Sequence, residues 1–253
     1  GRSRVYYHFG RDADFDLKLI GWVRHVRAQA RQGAQPPHEF LELGHLLHDL
    51  RLFKSKDEIK LMQRAADISV QAHEVAMRVA RGGIHEYELQ ADIERVFRAN
   101  DAWPAYGSIV GAGSNACVLH YRDNNARAAN GDLVLIDAGA EFRGYAADIT
   151  RTFPVNGRFS GEQRAIYELV LAAQKAAIDQ VRPGRRFNEP HDAAVRVLTE
   201  GLVALGLLQG DAAELIQAET YKSFDMHRTG HWLGMDVHDV GGYKTGDEWR
   251  VFE

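Results

Sequence analysis

A single cysteine, Cys117, serves all 253 residues. That excludes an intramolecular disulfide and fits a reducing compartment, taken here as cytoplasmic. No apolar run is long enough to span a bilayer, and the start, Gly1-Arg-Ser-Arg-Val-Tyr-Tyr-His, lacks a signal-peptide pattern, so no membrane partner is expected. The chain opens on glycine, not methionine, and the expectation is that processing or truncation removed what came before. A strong charge of one sign is also missing: a net charge of -4 with both signs interspersed offers no basic stripe to nucleic acid. Gly111-Ala-Gly113-Ser-Asn lacks a phosphate-cradling pattern and a following helix, and no serine sits in a nucleophile elbow. There is no thiolate cluster and no HExxH helix. What is present is 45% hydrophobic content, enough to bury a real core in one large or two modest domains.

The most informative positive feature is a pair of aspartates eleven residues apart, Asp137 and Asp148. Leu133 to Ile136 and Ile149 to Val155 are β-branched or apolar and read as strands, with the polar stretch Glu141 to Gly144 as the turn between them. With the turn centred between Phe142 and Arg143, residues whose numbers sum to 285 face each other, and Asp137 pairs with Asp148. Directly opposed residues have Cβ atoms about 4.5–5.5 Å apart, where like charges repel. A hard divalent cation with oxygen ligands would relieve that repulsion. Aspartates beside turns are common, and the neighbours are what favour a site. The segment His227-Arg-Thr-Gly-His231-Trp-Leu-Gly-Met-Asp-Val-His238 places three histidines within twelve residues. Gly230 and Gly234 argue against a helix there and for an irregular strand or loop.

The rest of the chain sets the frame. Val5 to Phe9 reads as a short strand, and Phe15, Leu19, Trp22, Val23 and Val26 form an apolar stripe at helical spacing. Gln32 to Pro37 is a break. Ser55-Lys-Asp-Glu58 is a capping box opening a helix that runs to Gly82-Gly83, and a second helix covers about Glu86 to Asn100. Strand signals fill Ser108 to Tyr121. Ser160-Gly-Glu-Gln163 is a second capping box, 105 residues after the first, and its helix ends near Pro183-Gly184. Another helix follows with Pro190 at its first position. Two helices then strands, twice over, predicts an internal duplication. Shifting the aspartate hairpin by 105 puts its counterpart near residues 242 to 258, past the last residue, Glu253, so the second half is expected to be incomplete. Asp247, Glu248 and Glu253 read as solvated charges in a loop.

The hairpin, the three-histidine segment and Asn115-Ala-Cys-Val-Leu-His120-Tyr121 together resemble the Xaa-Pro aminopeptidases (aminopeptidase P) of the creatinase/prolidase group, over about Leu50 to Glu253. The resemblance implies an α+β pita-bread fold of two pseudo-symmetric helix-helix-strand halves. Residues 1–50 would be the end of an amino-terminal α/β domain and 51–253 the catalytic domain without its final strands. It implies two divalent metal ions, most often manganese, held by Asp137, Asp148 and His231, with Asp148 bridging. His227 and His238 would bond the reacting carbonyl, and His120 would lie near the proline side of the scissile bond. The family's last two ligands are glutamates beyond Glu253. Arg228 stands where glycine often follows the first histidine. The implied partners are peptides with proline in second position, and the full-length protein is expected to be a homo-oligomer. Two alternatives stay open: a prolidase cutting Xaa-Pro dipeptides, and a non-catalytic pita-bread peptide-binding module.

Overall fold

The computed structural model describes residues 3–253. It separates into two compact units, Gly1–Lys54 and Ser55–Glu253. In the smaller one, β1 (Arg4–Tyr7) pairs in parallel with β2 (Glu39–Glu42), joined through α1 (Ala13–Ala28) and followed by α2 (Gly44–Leu52). Asp12 caps α1 by accepting from the Phe15 amide, as an N-cap aspartate should. The expected apolar stripe lies on α1, but no residue of that helix is fully buried.

The larger unit is organised by α3 (Lys56–Val79) and α4 (Glu86–Ala99). Ser55 and Glu58 form the expected capping box. On α3 the buried positions Ala65, Ile68, Ser69, Ala72, His73 and Ala76 fall at three- and four-residue spacing, and α4 answers with Leu89, Ile93, Val96 and Phe97. Two small sheets complete this half. One contains β4 (Ile109–Ala112), β5 (Leu133–Asp137) and β8 (Thr150–Pro154), with β5 in the middle and both pairings antiparallel. The other contains β3 (Trp103–Pro104), β6 (Ala140–Phe142) and β7 (Tyr145–Ala146). The aspartate hairpin therefore starts in one sheet and ends its tip in the other.

Two polar side chains of α3 fasten that crossing. Ser69 Oγ accepts from the Ala140 amide at 2.9 Å while donating to the Ala65 carbonyl. The His73 ring meets the Ala138 carbonyl through Nε2 at 3.0 Å. Buried polar groups are tolerable because they are paired, and here the pairing fixes the backbone on either side of Gly139. That glycine is required by close approach, since a Cβ built there would lie 1.7 Å from the Ala147 carbonyl oxygen.

The hairpin register corrects the expected one. Phe142 pairs with Tyr145, Glu141 with Ala146 and Asp137 with Thr150, so the paired numbers sum to 287, not 285. The two central turn residues are Arg143 and Gly144, with φ of 52° and 83°. Positive φ at both is the hairpin turn whose twist matches the strands, and Gly144 suits its second position. Asp137 and Asp148 are consequently diagonal, not directly opposed. They still share a face, because a slip of two residues preserves the strand's period of two, whereas a slip of one would have reversed it.

Two more expectations are corrected. Of Ser108 to Tyr121 only Ile109–Ala112 is strand, and Gly113–Cys117 turns into a 3-10 helix. The stretch around Gly246-Asp247, read as a loop, is a small hairpin of β9 (Lys244–Thr245) and β10 (Glu248–Trp249). Within it Glu248 is exposed but ion-paired to Arg186 at 3.1 Å. The second half repeats the helix pair as α5 (Gly161–Ile178) and α6 (Glu189–Ala204), followed by α7 (Ala212–Gln217). Ser160 and Gln163 form the second capping box, and Pro190 is the second residue of its helix, one later than expected. The three-histidine segment is neither helix nor strand. Among the described residues no helix is long and apolar enough to cross a membrane.

Candidate active site

Asp137 closes β5, and Asp148 lies in the short irregular stretch leading into β8. The two carboxylates meet at a residue that sequence reasoning missed. The Tyr106 hydroxyl lies 2.5 Å from Asp137 Oδ1 and 2.9 Å from Asp148 Oδ1, so one hydrogen serves two acceptors. Tyr106 precedes β4, which runs beside β5. Its position follows from the pairing of strands more than twenty residues apart, and no local pattern announces it.

His231 completes the group from the other half of the unit. Its Nε2 is 3.0 Å from Asp148 Oδ2 and its Nδ1 is 2.9 Å from the Trp232 carbonyl. A carbonyl only accepts, so Nδ1 carries a hydrogen and Nε2 is the atom turned to the carboxylate. The segment is held from behind by aromatic packing: Trp232 lies 4.7 Å from Phe187 and 5.7 Å from Tyr243 between ring centroids. It is tied to the hairpin by the Ala146 amide, which donates to the Gly234 carbonyl.

The protonation of the group follows from these contacts. Burial, outweighing the Tyr106 hydrogen bond, pushes the Asp137 carboxyl above its usual range, and the charge of Asp148 adds to the effect. The hydrogen bond from His231 holds Asp148 below its usual value and, reciprocally, raises the imidazole. Burial and the two adjacent carboxylates hold the Tyr106 phenol far above its ordinary value, so it acts as a neutral donor.

All six residues singled out in the sequence line one cavity of about 410 Å³: Asp137, Asp148, His231, His227, His238 and His120. They form subgroups. His238 packs edge-on against His231 at 4.2 Å between ring centroids, while His120 and His227 stand edge-to-face at 6.1 Å. Arg228 lines the same cavity, and its guanidinium lies over the Trp249 ring at 5.4 Å.

Among the described residues no three His, Cys, Asp or Glu side chains are arranged as a ready cage for an ion. The carboxylates and imidazole are joined through shared hydrogen bonds and do not surround a common centre. Their chemistry nonetheless fits a hard or borderline divalent cation. Two half-buried carboxylates lie side by side, and the groups acting on them most are Tyr106, Thr150, His231 and each other. The imidazole is fixed by a backbone carbonyl at one nitrogen, as metal-binding histidines commonly are.

Comparison with known proteins identifies the family. The profile of metallopeptidase family M24 matches residues 60–253. The Xaa-Pro aminopeptidase of Haemophilus influenzae is 51% identical over 216 residues, which is 85% of this chain and 50% of that protein. The Xaa-Pro aminopeptidase of Escherichia coli is 43% identical over 254 residues, 100% of this chain and 57% of that protein. Among solved structures, Pseudomonas aeruginosa aminopeptidase PepP superposes with a TM-score of 0.98 at 62% identity, covering 100% of this chain and 57% of that one. Zinc-substituted E. coli aminopeptidase P in complex with product gives a TM-score of 0.95 at 43% identity, covering 99% and 57%. The chain thus spans about half the length of the relatives it matches, and its architecture is the α+β pita-bread fold they share.

Proposed function

Because the chain belongs to metallopeptidase family M24, we propose that it carries the main part of the active site of an aminopeptidase that removes the first residue from peptides with proline in second position. The observation that carries this reading is the meeting of Asp137, Asp148 and His231 in a cavity also lined by His120, His227 and His238. In this reading Asp137, Asp148 and His231 hold divalent metal, and an oxygen-rich set with one imidazole suits manganese, with cobalt or zinc as substitutes. When bound, a pair of such ions would supply an activated water and polarise the carbonyl before proline.

The chain's own residues do the remaining work. Tyr106 donates to both carboxylates and keeps them converged. His231 turns Nε2 inward because Trp232 occupies Nδ1. In this reading His227 and His238, on either side of His231 in the sequence, hydrogen-bond the reacting carbonyl. Proline has no amide N–H, so it must be recognised by its ring shape and by carbonyls instead of that donor. Val118, Leu119 and His120 give the cavity an apolar wall with one polar edge for that purpose. A homo-oligomer in the cytoplasm is part of the same proposal, and the exposed free thiol of Cys117 suits a reducing compartment.

The test is release of the first residue from an Xaa-Pro-Yaa peptide by the full-length protein with added manganese. Intact peptide, with manganese bound, would leave only a binding module. Cleavage of Xaa-Pro dipeptides in preference to the tripeptide would move the assignment to a prolidase.

A further inference from the structure

Glu86 is the most deeply buried carboxylate among the described residues, 1% exposed, and it is outside the cavity. It stands at the first residue of α4, and four donors converge on it. Oε1 accepts from the Ala112 amide at 2.7 Å and from Asn115 Nδ2 at 3.0 Å. Oε2 accepts from the Tyr121 hydroxyl and from the Ala126 amide, both at 2.9 Å. Asn115 also donates to the Tyr121 oxygen, closing a triangle of side chains. A buried carboxylate is tolerable only when its acceptors are satisfied, and a satisfied network is rigid.

The four donors are spread over residues 112–126, so one side chain ties down the segment that follows β4 at its start, in its middle and beyond Tyr121. Asn124 adds a second fastening at its base. Its Oδ1 accepts from Val110, and its Nδ2 donates to the Ser108 carbonyl and to Gln90. Between these ties Val118 and Leu119 remain 53% and 56% exposed, and with His120 they line the cavity. His120 has φ of 53°, a conformation a non-glycine residue keeps only when its surroundings impose it. Its next neighbour is Tyr121, one of the residues bonded to Glu86.

We propose that Glu86, acting through Tyr121 and Asn115, is a positioning residue that holds His120 and the Val118–Leu119 wall in place before a peptide arrives. The inference rests on the reading of the cavity as a peptide site. It adds that the proline-side wall is prebuilt from α4, a helix that contributes no residue to the cavity lining.

A double-mutant cycle separates positioning from general stability. Tyr121→Phe keeps the ring and removes the hydroxyl. It is expected to raise KM for an Xaa-Pro-Yaa peptide about tenfold, the scale of one lost hydrogen bond to a charged group, with kcat within about twofold. In the His120→Ala background the same substitution should cost nothing further. An unchanged KM, or an equal fold-loss in both backgrounds, would overturn the proposal. Glu86→Gln, which turns an amide NH2 toward two donors, should move KM the same way; if it does not fold, Tyr121→Phe decides. Independently, the His120 ring resonances of the peptide-free protein should be sharp in the parent and broadened in Tyr121→Phe, and identical spectra would overturn it. If the parent cleaves no peptide, the peptidase reading fails, while those resonances still decide whether Glu86 positions the segment.

Discussion

Phe97, Ile136, Val134, Ile93 and Leu89 lie fully buried in one continuous core where α3 and α4 cover the two sheets. Between α5 and α6 the corresponding cluster centres on three alanines, Ala173, Ala177 and Ala194, with Val197 and Leu198 packed at its margin. Beside it an apolar cavity of about 620 Å³ reaches the three-histidine segment. The two helix pairs repeat one design but bury side chains of different size. The site divides along the same line: its carboxylates come from backbone gripped by the dense core, and three of its four histidines come from a segment held by aromatic stacking and by Asp148. Geometry is set by the first half, and the second half supplies groups that settle against it.

The sharpest way to break this comparison is to cut each core equally. Leu89→Ala should destabilise by about 3–5 kcal/mol through lost burial and a cavity that close-packed neighbours cannot fill. Leu198→Ala, at a half-buried position, should cost about 1–2 kcal/mol. Urea unfolding midpoints at constant m-value measure both, and equal losses would erase the distinction between the halves. Next in size is the proposed metal site. Asp148→Asn is expected to weaken manganese binding the most and His231→Ala less, both by more than the roughly 100-fold upper range for losing an outer partner. Calorimetric titration ranks them, and the reverse order would place the anchor of the site in the histidine segment.

Much of this architecture is legible in the residues because its signals are local. The capping boxes at Ser55 and Ser160 mark their helix starts, and the glycines around His231 rule out a helix. The aspartate pair survives a misplaced turn because the error of two residues keeps both side chains on one face. What escapes is non-local. Tyr106 joins the carboxylates only through the β4–β5 pairing, and Glu86 looks like an ordinary first-turn acid until the segment it binds has folded over it. The apolar run from Ser108 to Tyr121 has strand composition, yet the bond from Asn115 to Glu86 and the positive φ of Gly113 curl it away from the sheet.

A smaller effect probes how the dense core holds the hairpin. His73 lies 3% exposed under Ala138, and its Nδ1 has no hydrogen-bond partner. Burial, aided by the charge of Arg151, lowers its pKa against the opposing carbonyls of Ala138 and Ile149. The folded protein therefore takes up this proton less readily than the unfolded chain. The sign follows: no penalty above the unfolded value of about 6.5, then falling stability as pH drops below it toward the lowered folded value. His73→Gln, which can still donate to Ala138, should flatten that part of the stability profile between about pH 6.5 and 5. A profile unchanged by the substitution would show that the acid sensitivity lies elsewhere.

The smallest expected effect sits at the hairpin tip. Arg143 holds φ of 52° at an exposed turn whose flanks are fixed by the pairs Phe142–Tyr145 and Glu141–Ala146. Asparagine before glycine is the pair this turn prefers, and relieving a strained non-glycine residue is worth about 1 kcal/mol. Against that stands the guanidinium over the Phe142 ring at 5.3 Å, an exposed contact worth about 0.5 kcal/mol. Arg143→Asn should thus stabilise by about 0.5 kcal/mol, the difference of those two terms. Glu219 has the same backbone conformation, φ of 54°, in the second half and is ion-paired to Lys222. The substitution also removes that ion pair, so Glu219→Asn should gain less. A larger gain at Glu219 would mean that the second half constrains its backbone as tightly as the first.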